Sequence, residues 1–253
     1  MRSAKRLAVL FTSAAIALAV PAGMAPAQAE EFSDAQRGEI GEIVRDYLLE
    51  NPEVLREAFQ ALEEKEQAAQ AEKVTDLIRE NTDALFQSPL DHVAGNPDGD
   101  VTMVEFFDYN CGYCKRSLAD VLALIENDPD LRFIPKEFPI LGPGSVFASR
   151  AAIASRKQGK YWPFHLAMMK HRGEIDEDTV LQIAGDVGLD VAQLKTDMEA
   201  PEVKETIEQG YKLANLLGIQ GTPAFVIGEQ FVPGAMGREV LEGAIDAERQ
   251  AGE

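Results

Sequence analysis

The sequence is short of thiols, of cations and of long apolar runs, and each shortage argues against a class of protein. Only two of its 253 residues are cysteine, Cys111 and Cys114. An exported domain stapled by disulfides normally carries several, spread along the chain. A bridge between residues so close in sequence removes little entropy from the unfolded chain, so a structural staple is the least favoured role for this pair. The three histidines, His92, His165 and His171, stand at no finger spacing from the cysteines, which leaves a closed zinc site without its ligands. Lys and Arg number 24 against 43 Asp and Glu, a net charge of −19. A chain this acidic is repelled by nucleic-acid phosphates and by anionic membrane surfaces. The seven methionines form no cluster and read as core filler. No internal repeat and no long low-complexity tract is present.

What is there begins with residues 1–29. Arg2, Lys5 and Arg6 precede an apolar run from Leu7 to Val20, and Ala27-Gln28-Ala29 closes the segment. This is the three-part pattern of a cleaved export leader. Its apolar run of about 14 residues falls short of the ~20 a membrane span needs. An uncleaved anchor is the alternative, and no later stretch is long enough to span. Cleavage would remove three cations and take the charge from −19 to −22. It would also place the protein where disulfides persist.

Residues 30–88 read as a helical arm. Ser33 with Gln36 three residues on matches a capping box. Ile40, Ile43, Val44, Tyr47 and Leu48 form one helical stripe. Asn51-Pro52 restarts the helix, Val54, Leu55, Ala58, Phe59 and Leu62 continue the stripe, and Val74, Leu77 and Ile78 resume it after a polar stretch. Such stripes must be covered, either by the following domain or by other copies of the chain. The polar middle favours self-association, because a helix polar all round is not held by core packing.

From residue 89 the pattern changes. The turn cluster GNPDGD at 95–100 precedes Val101–Phe107, a buried-strand pattern. Lys115 to Glu126 has helical spacing, and Leu131 to Pro135 reads as a second strand, which makes a βαβ unit. Residues 142–217 are a run of amphipathic helices, with a helix end and a new cap at Gly188-Leu189-Asp190. Pro223 to Ile227 and Gln230 to Val232 read as a hairpin turned at Gly228-Glu229, and Arg238 to Gln250 as a last helix. The expected fold is α/β, with one sheet of about four strands interrupted by a helical insertion. The aromatic run Tyr161-Trp162-Pro163-Phe164-His165 reads as packing at a helix start, in preference to a ligand cage.

The stretch VEFFDYNCGYCK, residues 104–115, puts Cys111 where the first strand ends and the helix begins. There a sulfur meets unpaired N–H groups and the positive end of the helix dipole, so its pKa falls below the free value of about 8.5. Thiolate is the nucleophile of disulfide exchange. Cys114, one turn further in, can then resolve a mixed disulfide formed on Cys111. A Cys-x-x-Cys inside a βαβ unit favours this redox reading. Two thiolates could instead hold Cu(I), a soft ion, or form an inert bridge.

The stretches VEFFDYNCGYCK, KEFPILG at 136–142 and GIQGTPAFVIG at 218–228 resemble the DsbA family of thiol:disulfide oxidoreductases. With the arm, they are most similar to the branch containing the suppressor-of-copper-sensitivity protein C. The resemblance covers residues 89–247 and, more weakly, the arm. It implies a thioredoxin fold with an inserted helical block and an N-terminal extension, periplasmic location, and no cofactor or bound metal. It also implies exported client proteins, a membrane redox partner and a homo-oligomer built through residues 31–88. It makes Cys111 the attacking and Cys114 the resolving cysteine. Pro223, preceded by Thr222, becomes a cis proline beside the sulfurs, the alternative being an ordinary trans bond at a strand start. Glu105 becomes a buried acid able to relay a proton to Cys114, the alternative being a pair with Lys136 on the neighbouring strand. The residues between the cysteines are Gly112 and Tyr113, neither of them cationic. That implies a less depressed pKa than in the family's oxidase, and so an isomerase or reductase ahead of a disulfide-forming oxidase.

Overall fold

The computed structural model describes residues 32–252. The expected leader at residues 1–29 lies outside the described residues. Two compact units meet between Phe59 and Gln60.

The first unit holds helix α1 (Asp34–Glu50) and the opening of α2 (Pro52–Glu80). The Ser33 side chain accepts from the Gln36 N–H while the Gln36 side chain accepts from the Ser33 N–H, so the capping box forms as expected. Asn51 ends α1, its N–H donating to the Tyr47 carbonyl, and Pro52 starts α2, where its missing N–H costs nothing. None of the α1 residues is buried. Ile43, Val44 and Tyr47 are 68, 50 and 55% exposed.

The second unit begins well before the expected boundary at 89. Val74 and Ile78 lie on successive turns of α2 and are buried, as are Leu85 and Phe86 of α3 (Thr82–Phe86). They share one core cluster with Val104, Phe106 and Ile134 of the sheet. The arm's stripes therefore divide. The C-terminal one covers the sheet, and the N-terminal one is left exposed.

The sheet has five strands in the order β1-β3-β2-β4-β5: β1 (Ala94–Gly95), β2 (Val101–Phe107), β3 (Leu131–Glu137), β4 (Ala224–Ile227) and β5 (Gln230–Pro233). Strands β2 and β3 run parallel, joined by α4 (Gly112–Asn127), while β4 and β5 are antiparallel. The α/β fold with an inserted helical block is thus as expected, with β1 added. Two residues are too few to show alternation in a sequence. The hairpin closes with Ile227 opposite Gln230 and Gly228 at φ 52°.

Alternation along the strands sorts the core into two faces. Met103 and Phe225 meet α4 and the final helix α10 (Arg238–Gly252), through Val121, Leu241 and Ile245. Val104, Phe106 and Val226 meet α2, α3 and α9 (Pro201–Leu216). Between β3 and α9 the insertion supplies α5 (Pro143–Ser155), a 3-10 turn at Arg156–Gln158, α6 (Tyr161–Lys170), α7 (Glu177–Asp186) and α8 (Val191–Asp197). These helices share a third cluster with Phe107, Tyr109 and both cysteines. The sulfurs thus sit at the seam between sheet and insertion.

Gly210 in α9 lets that helix approach β3. A Cβ there would lie 2.4 Å from the Glu137 carbonyl oxygen. Alanine would gain up to ~1 kcal/mol of helix propensity, but displacing backbone costs ~1–3 kcal/mol. Gly210→Ala is expected to lower thermal stability. Gly185→Ala in α7, where a Cβ would meet nothing within 4 Å, is expected to raise it. Thermal unfolding of the two variants beside the parent checks the opposite signs.

Candidate active site

The thiol pair is free, without a disulfide. Cys111 is the N-cap of α4, and its sulfur accepts from the Cys114 N–H at 3.3 Å. The pKa of Cys111 is lowered to about 6. The largest cause is the hydrogen bond from the Cys114 thiol; burial opposes it, and the Thr222 side chain and the N–H groups of Cys114 and Tyr113 add to it. The Thr222 carbonyl accepts from the Cys111 thiol at 3.2 Å, a contact that favours the protonated form. For Cys114 the direction is reversed. Burial, the hydrogen bond to Cys111 and the charge of Glu105 push its pKa far up. The pair therefore holds one proton between two unequal sulfurs. The contrast in exposure is narrower than expected, 5% for Cys111 against 0% for Cys114. Electrostatics separates their roles more than accessibility does.

The structure brings all five sequence-predicted residues together. The Thr222–Pro223 bond is cis. Glu105 stands on β2 between Pro135 of β3 and Phe225 of β4. Its side chain is buried, one carboxyl oxygen has no hydrogen-bond partner, and burial followed by the charge of Cys111 raises its pKa to about 8. The alternative pair with Lys136 does not form. Lys136 is one position out of register with Glu105 and so points to the opposite face, where its ammonium pairs with Asp91 and donates to the Ala84 carbonyl.

Beside the sulfurs runs a groove of about 490 Å³ lined by Tyr113, Ile219, Thr222, Pro223, Phe231 and Pro233. Tyr113 is 61% exposed, and the Arg116 guanidinium lies 4.2 Å from its ring centroid. The Lys115 ammonium donates to the carbonyls of His171 and Gly173, and the charge of Cys111 is among the influences on it. Cations thus border a dipeptide that has none of its own.

Sequence reasoning missed the clamp on the turn that delivers Cys111. The Asp108 carboxylate is buried and accepts from the N–H groups of Asn110, Ile140 and Leu141 and from the Ser145 hydroxyl. The Asn110 side chain brackets Ile175, accepting from its N–H at 2.7 Å and donating to its carbonyl at 2.9 Å. An Asp-x-Asn in front of the cysteines was a readable turn signal. Also missed was Glu137, raised by burial to about 8. It accepts from the hydroxyls of Tyr109, Tyr161 and Ser149. Tyr161, Trp162 and His165 stack in the core. Burial drives His165 to about 3, so it is neutral packing, as the aromatic run implied.

A reactive dithiol at the N-terminus of α4, faced by a cis proline on a mixed sheet, defines a thioredoxin-fold enzyme of thiol:disulfide exchange. More particularly, the chain belongs to the family of DSBA-like thioredoxin domains, whose model matches residues 102–246. A second model, the copper resistance protein ScsC N-terminal domain, matches residues 36–69. Among solved structures, a thioredoxin-like oxidoreductase from Silicibacter pomeroyi is 52% identical at a TM-score of 0.66, covering 66% of this chain and 97% of its own. BcfH of Salmonella enterica Typhimurium is 30% identical at 0.72, covering 85% and 96%. ScsC of Proteus mirabilis, in a transitional conformation, is 30% identical at 0.63, covering 86% and 96%. The Na(+)/H(+) antiporter NhaA of Herminiimonas arsenicoxydans is 28% identical over 163 residues, 64% of this chain. The chain spans about a quarter of the length of such curated relatives. No helix among the described residues is long and apolar enough to cross a membrane.

Proposed function

We propose that the protein is an exported disulfide isomerase or reductase that acts on other exported proteins through Cys111 and Cys114. The observation that carries this is the moderately acidic Cys111, at about 6, with no cation between the cysteines. The Cys111 thiolate attacks one sulfur of a client disulfide. A mixed disulfide forms and a client thiolate leaves. That thiolate can attack another client disulfide, and the client thiolate released there then attacks the client sulfur of the mixed disulfide, which expels the Cys111 thiolate and completes a reshuffling. Alternatively Cys114 gives up its proton and attacks Cys111. The Cys111–Cys114 bond then forms, the client leaves as a dithiol, and two electrons have passed to the client. Glu105, raised to about 8 by burial and by the charge of Cys111, loses the second of these causes once Cys111 enters a mixed disulfide; its ionised form can then take the Cys114 proton, with a pKa near the working pH. A membrane electron donor would return the pair to the dithiol. A periplasmic thioredoxin-like protein from Salmonella, 30% identical, supports the same compartment here, together with the leader pattern of residues 1–29.

The exposed stripe of α1 and the match of residues 36–69 to the ScsC N-terminal model support self-association through the arm. The truncation that tests it stops at Phe59, because Val74 and Ile78 belong to the core. The mature chain is expected to sediment as an oligomer, and the chain lacking residues 31–59 as a monomer. The monomer should keep its exchange with glutathione but lose reshuffling of scrambled ribonuclease. A mature chain already monomeric would remove the oligomer from this reading. The glutathione equilibrium tests the rest. The protein should be a weaker oxidant than DsbA, whose potential is about −120 mV. A potential at or above that value would make it an oxidase, and tight Cu(I) binding without any reshuffling would make it a copper carrier.

A further inference from the structure

A second cleft adjoins the cis-proline groove. It is about 790 Å³ and lies between α2 and β5, with Gln67, Gln70, Ala71 and Val74 on one wall and Leu217 and Phe231 on the other. It shares Gly218, Phe231 and Pro233 with the groove beside the sulfurs, so the two form one continuous depression. We infer that this cleft holds an extended stretch of the client polypeptide, on the chain running away from the cysteine under attack. The inference rests on the reading that the clients are proteins.

Three features fix the occupant. First, β5 is an edge strand. Its ladder to β4 starts at the closing pair Ile227–Gln230. By the alternation of an antiparallel ladder, the main chain of Phe231 then faces away from β4 and into the cleft. An edge N–H and C=O recruit an added strand. Second, the wall from Glu66 to Thr75 is about 14 Å of helix, the span of about four extended residues. Third, the lining is apolar carbon and side-chain amide, with the Thr75 hydroxyl besides and Glu66 the one ionisable group. Amides can serve main-chain groups of any sequence, and apolar carbon takes side chains that a folded client would hide. The cleft is kept open by α2, which is tied to the β4–β5 turn. The Arg79 guanidinium makes two hydrogen bonds to the Glu229 carboxylate at 2.7 and 2.6 Å, and the Thr75 hydroxyl donates to the Glu229 carbonyl. An unfolded or misfolded polypeptide fits this chemistry better than a small disulfide does.

The test uses the full mature protein. Ala71 is exposed on α2, so Ala71→Trp fills the cleft without disturbing the core, and Ala71→Ser is the conservative control. Two substrates are compared, glutathione disulfide and scrambled ribonuclease. Carboxymethylated ribonuclease, unfolded and without thiols, serves as competitor. The expected result for Ala71→Trp is unchanged glutathione exchange, a KM for scrambled ribonuclease raised at least fivefold, and loss of inhibition by the competitor, with Ala71→Ser behaving as the parent. Unchanged KM and unchanged competition, with glutathione exchange intact, would overturn the cleft and leave the proposed function standing. Absence of exchange with either substrate in the parent would overturn the proposed function itself. A change of solution mass in Ala71→Trp would assign the cleft to a second copy of the chain and overturn the client as its occupant.

Discussion

Replacing Cys111 by serine is expected to reduce disulfide exchange to the uncatalysed rate, while replacing Cys114 by alanine removes the reductive exit and leaves the protein bonded to every client that has no thiol of its own to expel Cys111. Serine keeps the N-cap acceptor for the Cys114 N–H, so the helix stands and only the nucleophile is lost. The size of the advantage conferred by the thiolate depends on pH. With a pKa of about 6, Cys111 is about 90% ionised at pH 7, against about 3% for a free thiol. That is roughly thirtyfold more thiolate. Each thiolate is also a weaker nucleophile, by roughly thirteenfold for a Brønsted slope of about 0.45. The net gain at pH 7 is only about twofold, but at pH 5 it is about twentyfold. Alkylation of the reduced protein should therefore rise tenfold per pH unit up to about 6 and then level off. In Cys114→Ala the midpoint should move up, because the Cys114 thiol is the largest cause of the depression. A Cys111 profile that keeps rising past pH 8 would sink the assignment.

The same depression acts on stability. The folded pKa is about 6, below the ordinary thiol value of about 8.5, so the contribution is fully present above that value and is lost as pH falls through 6. The contribution belongs to the reduced protein and is absent from the oxidised one, which has no thiolate. The depth of the pKa depression and oxidising power are thus linked. A thiolate stabilised this modestly leaves the disulfide easier to keep than it would be in a stronger oxidant.

What the sequence disclosed follows the range of the interactions concerned. The Ser33–Gln36 box, the Gly228 turn and the cap at Asp190, which accepts from the Gln193 N–H, are settled within four residues, and each stood in plain view. Strand β2 was legible because all its residues except Thr102 and Glu105 are apolar, and the cysteine spacing needed only a strand and a helix to acquire meaning. The partners of Glu137 were not legible. Tyr109 and Tyr161 are 28 and 24 residues away, and nothing local marks them. Lys136 showed the opposite fault, since a cation one position off register with Glu105 looks like its partner until the pleat sends the two side chains apart. The arm was half legible. The stripes were visible, but only the packing of Val74 and Ile78 against Phe106 tells which of them the sheet covers.

Glu105→Gln is expected to stabilise the reduced protein at neutral pH while slowing the second half of the reaction. Glu105 is 3% exposed, and one of its carboxyl oxygens has no partner. Its folded pKa of about 8 stands above the ordinary carboxyl value of 4.5. Between those values the folded chain keeps a proton that the unfolded chain releases, so stability falls as pH rises, by about 1.4 kcal/mol per unit. The penalty is about 1 kcal/mol at pH 5, about 3 at pH 7, and between 4 and 5 above pH 8. Glutamine is free of it but carries a buried amide whose own cost of ~1–3 kcal/mol does not vary with pH. The offset between the two proteins is therefore less informative than its slope. Denaturant unfolding at pH 5 and pH 7 should show the parent losing roughly 2 to 3 kcal/mol relative to Glu105→Gln. Resolution of the mixed disulfide should slow in the variant, since glutamine cannot take the Cys114 proton, while the first attack by Cys111 keeps its rate. Parallel stability curves would mean that Glu105 is ionised in the folded state. An unchanged resolution rate would mean that the Cys114 proton leaves by another route.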